Sequence, residues 1–140
     1  MVESYQEIDF SELAEAVKKI ARKAAAAILE VYEKQEKFEI VLKSDQSPLT
    51  LADRTSNLII NEGLKKLEWQ FPVVSEENQA IPFEKRKHFE LYWLVDPLDG
   101  TKEFIKRNGD FTVNIALVEN GAPVFGVVFV PVWQEMYWGG

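Results

Sequence analysis

The chain has 140 residues, 46% of them hydrophobic, so it is long and apolar enough for one domain with a core. Its net charge of -7 disfavours a non-specific binder of nucleic acid or of anionic membranes. It contains no cysteine, which excludes disulfides and thiolate zinc sites. No secretory signal or membrane-length apolar segment is visible, which predicts a cytoplasmic protein, with a peripheral position at the inner membrane as the alternative.

A long amphipathic helix is predicted at the start of the chain. Asp9 and Glu12 have the spacing of a capping box, and apolar residues then recur at helical intervals until about Tyr32. This helix is expected to contribute to the core, with partner binding as the weaker alternative. Residues Phe38–Lys43 are predicted to form a strand, followed by a turn-rich loop that ends near Pro48.

A second helix is predicted to begin near Thr50 and Asp53, which have the spacing of a helix cap. Capping alone would explain this pair. A helix start at the end of a sheet would also present the same side chains to a site, so both roles can hold together. The apolar face of the helix is predicted to comprise Leu58, Ile59, Leu64 and Leu67.

Two adjacent carboxylates follow the next predicted strand. Phe71–Ser75 reads as a short buried strand, and Glu76 and Glu77 come directly after it. Paired acids in an exposed loop are usually only solvated, but their place at a strand end favours a functional role. Residues Asn78–Glu90 are polar and charged, and they are predicted to form a mobile surface loop.

The most informative stretch is the run DPLDGT at residues 96–101, which follows an apolar strand. Pro97 disfavours a helical conformation at Asp96, so Asp96 is predicted to end the strand with its carboxylate at the turn. Asp99 lies close enough in a tight turn for both carboxylates to hold one cation. Gly100 lacks a Cβ, which lets a ligand approach the backbone closely.

Backbone N–H groups at the end of this turn offer a second kind of contact. Those of Gly100 and Thr101 are predicted to open the short segment Lys102–Arg107, and N–H groups at such a start attract anions. Carboxylates for a cation beside N–H groups for an anion indicate metal-assisted phosphate chemistry. Because soft ligands are scarce in this chain, its oxygen ligands favour Mg²⁺ or Mn²⁺.

The rest of the chain is predicted to be antiparallel sheet. Asp110–Glu119 reads as a strand, Asn120-Gly121 is typical of a two-residue hairpin turn, and Pro123–Pro131 returns as the partner strand. Gln134–Trp138 begins a further strand. The fold predicted for the whole chain is therefore α+β, with two long helices packed on a mostly antiparallel sheet.

An Asp-Gly pair alone is typical of an ordinary turn. Haloacid dehalogenase phosphatases also end a strand in Asp, but their two aspartates are one residue apart, whereas Pro97 and Leu98 both intervene here. The whole run 96–101 instead resembles the signature of the inositol monophosphatase family of magnesium-dependent, lithium-sensitive phosphatases. Residues 102–104 (KEF) resemble its 3'(2'),5'-bisphosphate nucleotidase branch. The resemblance extends from Leu13 onward and includes three motifs in the family's order.

The resemblance implies that residues 1–140 are an N-terminal metal-binding domain, the first half of a sugar-phosphatase-type αβαβα sandwich. It implies two or more Mg²⁺ ions, with Mn²⁺ as a substitute. One ion would use Glu76, Asp96 and the Leu98 carbonyl, and another would use Asp96, Asp99 and an aspartate from the family's second half. The motif of that aspartate does not occur here, so a second polypeptide half or a homo-oligomer is an expected partner.

Catalytic roles also follow from the resemblance. Asp53, Glu76 and Thr101 would be catalytic, with Thr101 orienting the attacking water together with Asp53 or Glu76. Glu77 would support the site less directly. Lys43 would either add positive charge near the site or be a solvated lysine. The substrate-binding residues would be Glu76, Leu98, Asp99, Gly100 and Thr101, with the N–H groups of the last two holding phosphoryl oxygens.

The function implied by the resemblance is removal of the 3'-phosphate of adenosine 3',5'-bisphosphate, which yields AMP and phosphate and belongs to sulfur metabolism. Phosphoadenylylsulfate is a second expected substrate. Two alternatives stay open at this point. One is an inositol monophosphatase, and the other is a non-catalytic fragment that binds metal or docks on a second polypeptide.

Overall fold

The structure, a computed structural model, describes residues 8–34 and 47–140, and it is α+β as the sequence predicts. Two long helices come first, strands and short helices then alternate, and a meander of three strands follows. The elements are α1 (Phe10–Lys34), α2 (Pro48–Lys65), β1 (Val73–Ser75), α3 (Phe83–Arg86), β2 (Leu91–Asp99), α4 (Thr101–Lys106), β3 (Thr112–Glu119), β4 (Ala122–Val130) and β5 (Glu135–Gly139).

The strands form one 5-stranded sheet in the order β1-β2-β3-β4-β5. The pairing of β1 with β2 is parallel, with Ser75 opposite Val95, and the other three pairings are antiparallel. The prediction of a mostly antiparallel sheet is therefore confirmed. The pairing of β1 with β2 ends at Ser75 and Val95, and because the two strands run in the same direction, Glu76 and Asp96 lie at the same end of this pair of strands.

Helices α1 and α2 pack against each other and against one face of the sheet, and the core lies between these layers. The two helices cross closely at Gly63, where a Cβ would lie 2.7 Å from Ile20 Cγ1. No larger residue fits there without moving Ile20. The largest completely buried side chains beneath the helices are Trp93, Phe104, Phe111 and Phe125.

The opposite face of the sheet exposes apolar side chains. Leu94, Val128 and Tyr137 are 46%, 38% and 56% exposed, and Val128 and Tyr137 are direct partners across β4 and β5. Alternation along a strand explains this, since the neighbours of Leu94 point to the core. In the part of the chain that the structure describes, no helix has the length and apolarity needed to cross a membrane.

The capping prediction for the first helix is confirmed. Asp9 Oδ1 accepts a hydrogen bond from the Glu12 backbone N–H at 3.1 Å, and α1 then continues to Lys34, slightly beyond the predicted end. Its buried side chains recur on one face, as a helix that packs against a sheet requires. The predicted strand Phe38–Lys43 lies outside the described residues.

The prediction for the start of the second helix is wrong. The cap of α2 is Ser47, whose Oγ accepts a hydrogen bond from the Thr50 N–H at 3.1 Å, and Pro48 occupies the first turn. The local signal was the Ser-Pro pair, since proline is favoured at the first helical position. The buried face also differs from the prediction, because Leu58 is 61% exposed whereas Ser56 and Ile60 are completely buried.

Two further boundaries differ from the sequence predictions. Strand β1 comprises only Val73–Ser75, because its pairing with β2 covers these residues alone. The predicted loop 78–90 contains the short helix α3, which follows Pro82 and buries no side chain. A helix of one turn with no apolar face leaves no periodic signal in the sequence.

The hairpin prediction is confirmed. Asn120 and Gly121 connect β3 to β4, and both have positive φ angles, 51° and 82°, which is the conformation of a type I′ turn. The strands on each side pair from Glu119 with Ala122 to Val113 with Phe129. β5 then adds to the sheet along β4, as predicted from Gln134–Trp138.

Candidate functional site

Asp96 does not end its strand, contrary to the prediction. β2 continues to Asp99, with Asp96 opposite Asn114 and Asp99 opposite Thr112 on β3. One extra residue on β2 between these pairs forms a bulge. Pro97 lies in that bulge, where its missing N–H removes no ladder hydrogen bond. Asp96 and Asp99 therefore flank the same irregular segment of β2.

Asp96 is half-buried among other acids. Burial raises the pKa of its carboxyl first, and repulsion from Asp99 and Glu76 raises the pKa further. The backbone N–H of Leu98 donates a hydrogen bond to Asp96, which lowers the pKa and partly offsets these effects. A carboxylate that is crowded in this way gains stability from any cation that binds beside it.

Asp53 lies in α2 and faces the same group of acids. Its pKa is raised to about 7, first by burial, then by the charge of Glu77 and a hydrogen bond with Glu77, and then by the charges of Asp96 and Glu76. Its Oδ1 atom is buried and accepts no hydrogen bond from the described residues. A buried carboxylate oxygen without a partner is costly, and the cost falls when a proton, a cation or a donor reaches it.

Asp99 is held by the neighbouring strand. Asn114 Nδ2 donates to Asp99 Oδ2 at 3.2 Å, and Thr112 Oγ1 donates to Asn114 Oδ1 at 3.0 Å. These bonds orient the second carboxylate of the bulge. Asn114 and Thr112 are not among the predicted site residues, because a single asparagine within a strand pattern carries no signal that would reveal the role.

Gly100 connects β2 to the short helix α4. Its φ of 91° is a left-handed conformation, and a Cβ there would lie 3.0 Å from the Asp110 carbonyl oxygen. The glycine is therefore required by the turn and by the backbone of Asp110 and Phe111, rather than only by ligand access as predicted. Thr101 follows as the first residue of α4 and is exposed.

Helix α2 is bonded to the bulge of β2 by a buried serine. Ser56 is 0% exposed, and its Oγ donates to the Pro97 carbonyl oxygen at 2.7 Å. Ser56 is not among the site residues predicted from the sequence, because a serine at a helix position usually faces solvent. A serine in register with Ala52 and Ile60 on the buried face was the available signal.

A network of side-chain amides bonds the same helix to the turn after β1. Asn57 Nδ2 donates to Asn78 Oδ1 at 2.9 Å, and its Oδ1 accepts from Ser75 Oγ at 2.7 Å. Asn78 Nδ2 donates in turn to Asn61 Oδ1 at 3.0 Å. This network was also missed, although a pair of asparagines one helical turn apart is unfavourable in a helix and was a usable signal.

The residues present suit a cation in their chemistry, since hard oxygen donors converge and repel one another. Within residues 8–34 and 47–140, however, no three acidic or histidine side chains enclose a common point closely enough to form a complete cage. The two observations differ because charge repulsion acts over a longer range than coordination. The unpartnered Asp53 Oδ1, which lies within this acidic group, is the feature that most favours a cation site.

The structure thus brings together most of the predicted site residues. The charges of Glu76, Glu77 and Asp96 raise the pKa of Asp53, and those of Asp99, Glu76 and Glu77 raise the pKa of Asp96. Gly100 and Thr101 follow directly at the start of α4. The Leu98 side chain is buried in the core, so only its backbone can take part. Lys43 lies outside the described residues.

Comparison with known proteins identifies relatives over nearly the whole chain. The sequence profile of the inositol monophosphatase family matches residues 9–140. The 3'(2'),5'-bisphosphate nucleotidase CysQ of Salmonella typhimurium is 53% identical over 124 residues, which cover 89% of this chain and 50% of the relative. The chain therefore spans about half the length of the curated relatives it matches.

Solved structures agree with the sequence matches. The crystal structure of CysQ from Bacteroides thetaiotaomicron superposes with a TM-score of 0.82 and 49% identity, covering 93% of this chain and 46% of that one. An inositol monophosphatase from Zymomonas mobilis has a TM-score of 0.74 and 29% identity, covering 94% and 48%. The profile match and the high identities together show that this chain belongs to the inositol monophosphatase family.

Proposed function

We propose that the protein containing these residues hydrolyses the 3'-phosphate of adenosine 3',5'-bisphosphate to give AMP and phosphate, with Mg²⁺ as its metal. The observation that carries the proposal is the half-buried Asp53, whose unpartnered Oδ1 lies within a group of mutually repelling acids. Such a group is a poor structural element but a good cation site. The substrate is proposed from the similarity to the CysQ relatives.

The metal ligands are proposed to be the acids at the two strand ends. Glu76, Asp96 and the Leu98 carbonyl would hold one Mg²⁺, and Asp99 would share a second with Asp96. The family is metal-dependent, and the oxygen ligands suit Mg²⁺, with Mn²⁺ as a substitute. When bound, the metal supplies charge that offsets the developing negative charge on the phosphoryl oxygens.

The remaining residues are proposed to position water and substrate. Asp53, with an oxygen free to accept, would orient the attacking water together with the Thr101 hydroxyl. Glu76 would help to orient the same water from the turn after β1. The N–H groups of Gly100 and Thr101, at the start of α4, would donate to the phosphoryl oxygens. No covalent enzyme intermediate is needed in this arrangement, because positioning and charge supply the stabilisation.

Full activity is proposed to require family residues beyond these 140. The supporting facts are the match to 50% of the Salmonella relative and the incomplete enclosure of an ion by the described acids. The missing contribution would be a further carboxylate for the second cation. The proposed location is the cytoplasm, with the inner-membrane surface as the alternative.

The test measures phosphate release from adenosine 3',5'-bisphosphate with Mg²⁺, by these 140 residues alone and after mixing with the unmatched half of the Salmonella relative. Activity in the mixture, lost on chelation of Mg²⁺ and restored by its return, is the expected result. Inositol 1-phosphate serves as the comparison substrate, because the similarity to the Zymomonas mobilis enzyme makes an inositol monophosphatase the second candidate. A mixture that prefers inositol 1-phosphate would transfer the proposal to that activity.

Calorimetric titration of the 140-residue chain with Mg²⁺ supplies the second measurement. Binding without turnover in any mixture would support the third alternative, a metal-binding or docking fragment. The control is Glu84→Gln, which removes an acid from α3 that pairs with Lys87 at 2.7 Å, away from the site. That variant is expected to bind Mg²⁺ as the unsubstituted chain does.

A further inference from the structure

We propose that Ser56 and Asn57 are positioning residues that hold two acidic turns at a fixed distance from Asp53. The first is the turn after β1, which carries Glu76 and Glu77, and the second is the bulge of β2 between Asp96 and Asp99. The inference rests on the proposed function, because it concerns how the same site is assembled for cation binding. Asp53, Ser56 and Asn57 share one face of α2, since positions three and four apart in a helix are neighbours. One helical turn therefore carries Asp53 and is bonded both to the bulge of β2 and to the turn after β1.

Ser56 holds the turn in β2. Its Oγ is completely buried and donates to the Pro97 carbonyl oxygen at 2.7 Å. Pro97 lies in the bulge between Asp96 and Asp99, where the regular pairing of β2 with β3 is interrupted. The serine bond thus replaces the missing ladder at that point. It orients the peptide unit that joins Pro97 to Leu98, and the Leu98 N–H of that unit donates to the Asp96 carboxylate.

Asn57 holds the turn after β1. Its side chain contacts both sides of that turn, accepting from Ser75 Oγ at 2.7 Å and donating to Asn78 Oδ1 at 2.9 Å. The turn between these two residues consists of Glu76 and Glu77, and it is closed by a bond from the Asn78 N–H to the Ser75 carbonyl at 3.1 Å. Asn57 therefore spans the base of the turn that carries both glutamates.

The placement of these two residues next to each other has a mechanical consequence. The turns after β1 and within β2 carry four carboxylates, Glu76, Glu77, Asp96 and Asp99, and like charges repel one another. Without a tether, each turn would move outward. Because both tethers start from the same turn of α2, a single rigid element fixes the distance between the acids before a cation arrives. Preorganised ligands bind an ion more tightly than ligands that must first be gathered.

The experiment compares Mn²⁺ affinity in the 140-residue chain and three variants. Ser56→Ala removes the bond to the bulge, Asn57→Leu removes the bonds to the glutamate turn, and Asn78→Ala breaks the second tether from its other end. Each is expected to weaken Mn²⁺ binding about tenfold or more, the range known for groups that hold metal ligands in place. The control is Ile60→Val, which loosens packing at a completely buried position of α2 without touching either turn.

The Mn²⁺ affinity of each of the three variants is compared with that of Ile60→Val, and the loss of thermal midpoint is measured for all four. Weaker binding in the three variants with unchanged binding in Ile60→Val supports the positioning role. The positioning role is overturned if Ser56→Ala and at least one of Asn57→Leu and Asn78→Ala, each measured separately, bind Mn²⁺ as the unsubstituted chain does. A purely structural role would lower the thermal midpoint and leave the Mn²⁺ affinity unchanged.

A second readout separates this inference from the proposed function. Backbone amide NMR shifts are recorded without metal. Ser56→Ala is expected to move the signals of Leu98 and Asp99, and Asn78→Ala those of Glu76 and Glu77. If the unsubstituted chain binds no Mn²⁺, the proposed function fails, and the NMR shifts alone decide the positioning. Shifts in these turns then support it, and unmoved signals overturn it.

Discussion

The charge of Asp96 raises the pKa of Asp53, although Asp96 lies at a bulge in β2 and Asp53 lies within α2. The two acids meet because the Pro97 carbonyl of the bulge accepts a hydrogen bond from Ser56 of the same helix. Their environments differ in one respect. Asp96 accepts a hydrogen bond from the Leu98 N–H, whereas Asp53 Oδ1 has no partner among the described residues.

The first prediction is that Asp96→Asn weakens Mn²⁺ binding more than Asp53→Asn does, by roughly tenfold. Asp96 is proposed to contact both cations, whereas Asp53 is proposed to act through water, and loss of a direct ligand has the larger effect. Titration of Mn²⁺ into each variant, followed by calorimetry, measures the difference. Equal affinities would contradict the assignment of Asp96 as the shared ligand.

The second prediction concerns pH in the metal-free chain. The pKa of Asp53 is raised from 3.8 to about 7, so the folded state keeps a proton that the unfolded state releases. The stability linked to this proton is fully present below about pH 4 and is lost as the pH rises to about 7. Asp53→Asn carries no such proton. We therefore expect the thermal midpoint of the variant, relative to the unsubstituted chain, to rise across this window.

Mg²⁺ should reverse this trend, because a cation stabilises the charged form of the acids in place of the proton. Thermal midpoints measured from pH 4 to 8, with chelator and with Mg²⁺, test both statements. The prediction would be contradicted if the difference between Asp53→Asn and the unsubstituted chain stayed constant over this range without metal.

The third prediction compares two glycines with positive φ angles. Gly100 and Gly121 have φ of 91° and 82°, but only Gly100 has backbone atoms where a Cβ would lie, with Asp110 O at 3.0 Å. Gly121→Ala should therefore cost only the left-handed conformation, roughly 1–2 kcal/mol. Gly100→Ala should cost about 1 kcal/mol more, because the Cβ also overpacks the turn.

Urea unfolding of both variants measures this difference, and Mn²⁺ titration measures its consequence for the site. Gly100→Ala is expected to weaken cation binding, since a shift of Asp110 and Phe111 moves the start of α4 relative to Asp99. Gly121→Ala is the matched control and should leave binding unchanged. Similar losses of stability in the two variants would show that the close contact at Gly100 relaxes freely.

The fourth prediction concerns the apolar face of the sheet away from the helices. Leu94, Val128 and Tyr137 are exposed there, and exposed apolar surface of this kind favours association. We expect the chain to self-associate as its concentration rises, and Val128→Lys to shift the association to concentrations several times higher. Leu58→Lys is the control, because Leu58 is 61% exposed on α2. Light scattering over a concentration series measures both, and a monomer at all concentrations would contradict the prediction.

Local patterns were enough wherever neighbouring residues determine the conformation. The Asn120-Gly121 turn, the Asp9 cap of α1 and the order of the two long helices and strands β1 to β5 all follow from short stretches of sequence. The start of α2 also has a local signal, because Ser47-Pro48 indicates the observed helix start, whereas Thr50 and Asp53 predict a later one. The carboxylates at 53, 76, 96 and 99 were likewise identifiable from motifs that leave a chemical signature at fixed spacing.

Only the tertiary structure decided how those carboxylates are held and what surrounds them. The bond from Ser56 to Pro97, the amide network of Asn57 and Asn78, and the bond from Asn114 to Asp99 all join residues that are distant in sequence. No periodicity in the chain encodes such contacts, because they depend on which helix face meets which strand and at what register. The raised pKa of Asp53 follows from the same packing, since burial and neighbouring charge exist only after the helix and the two turns have come together.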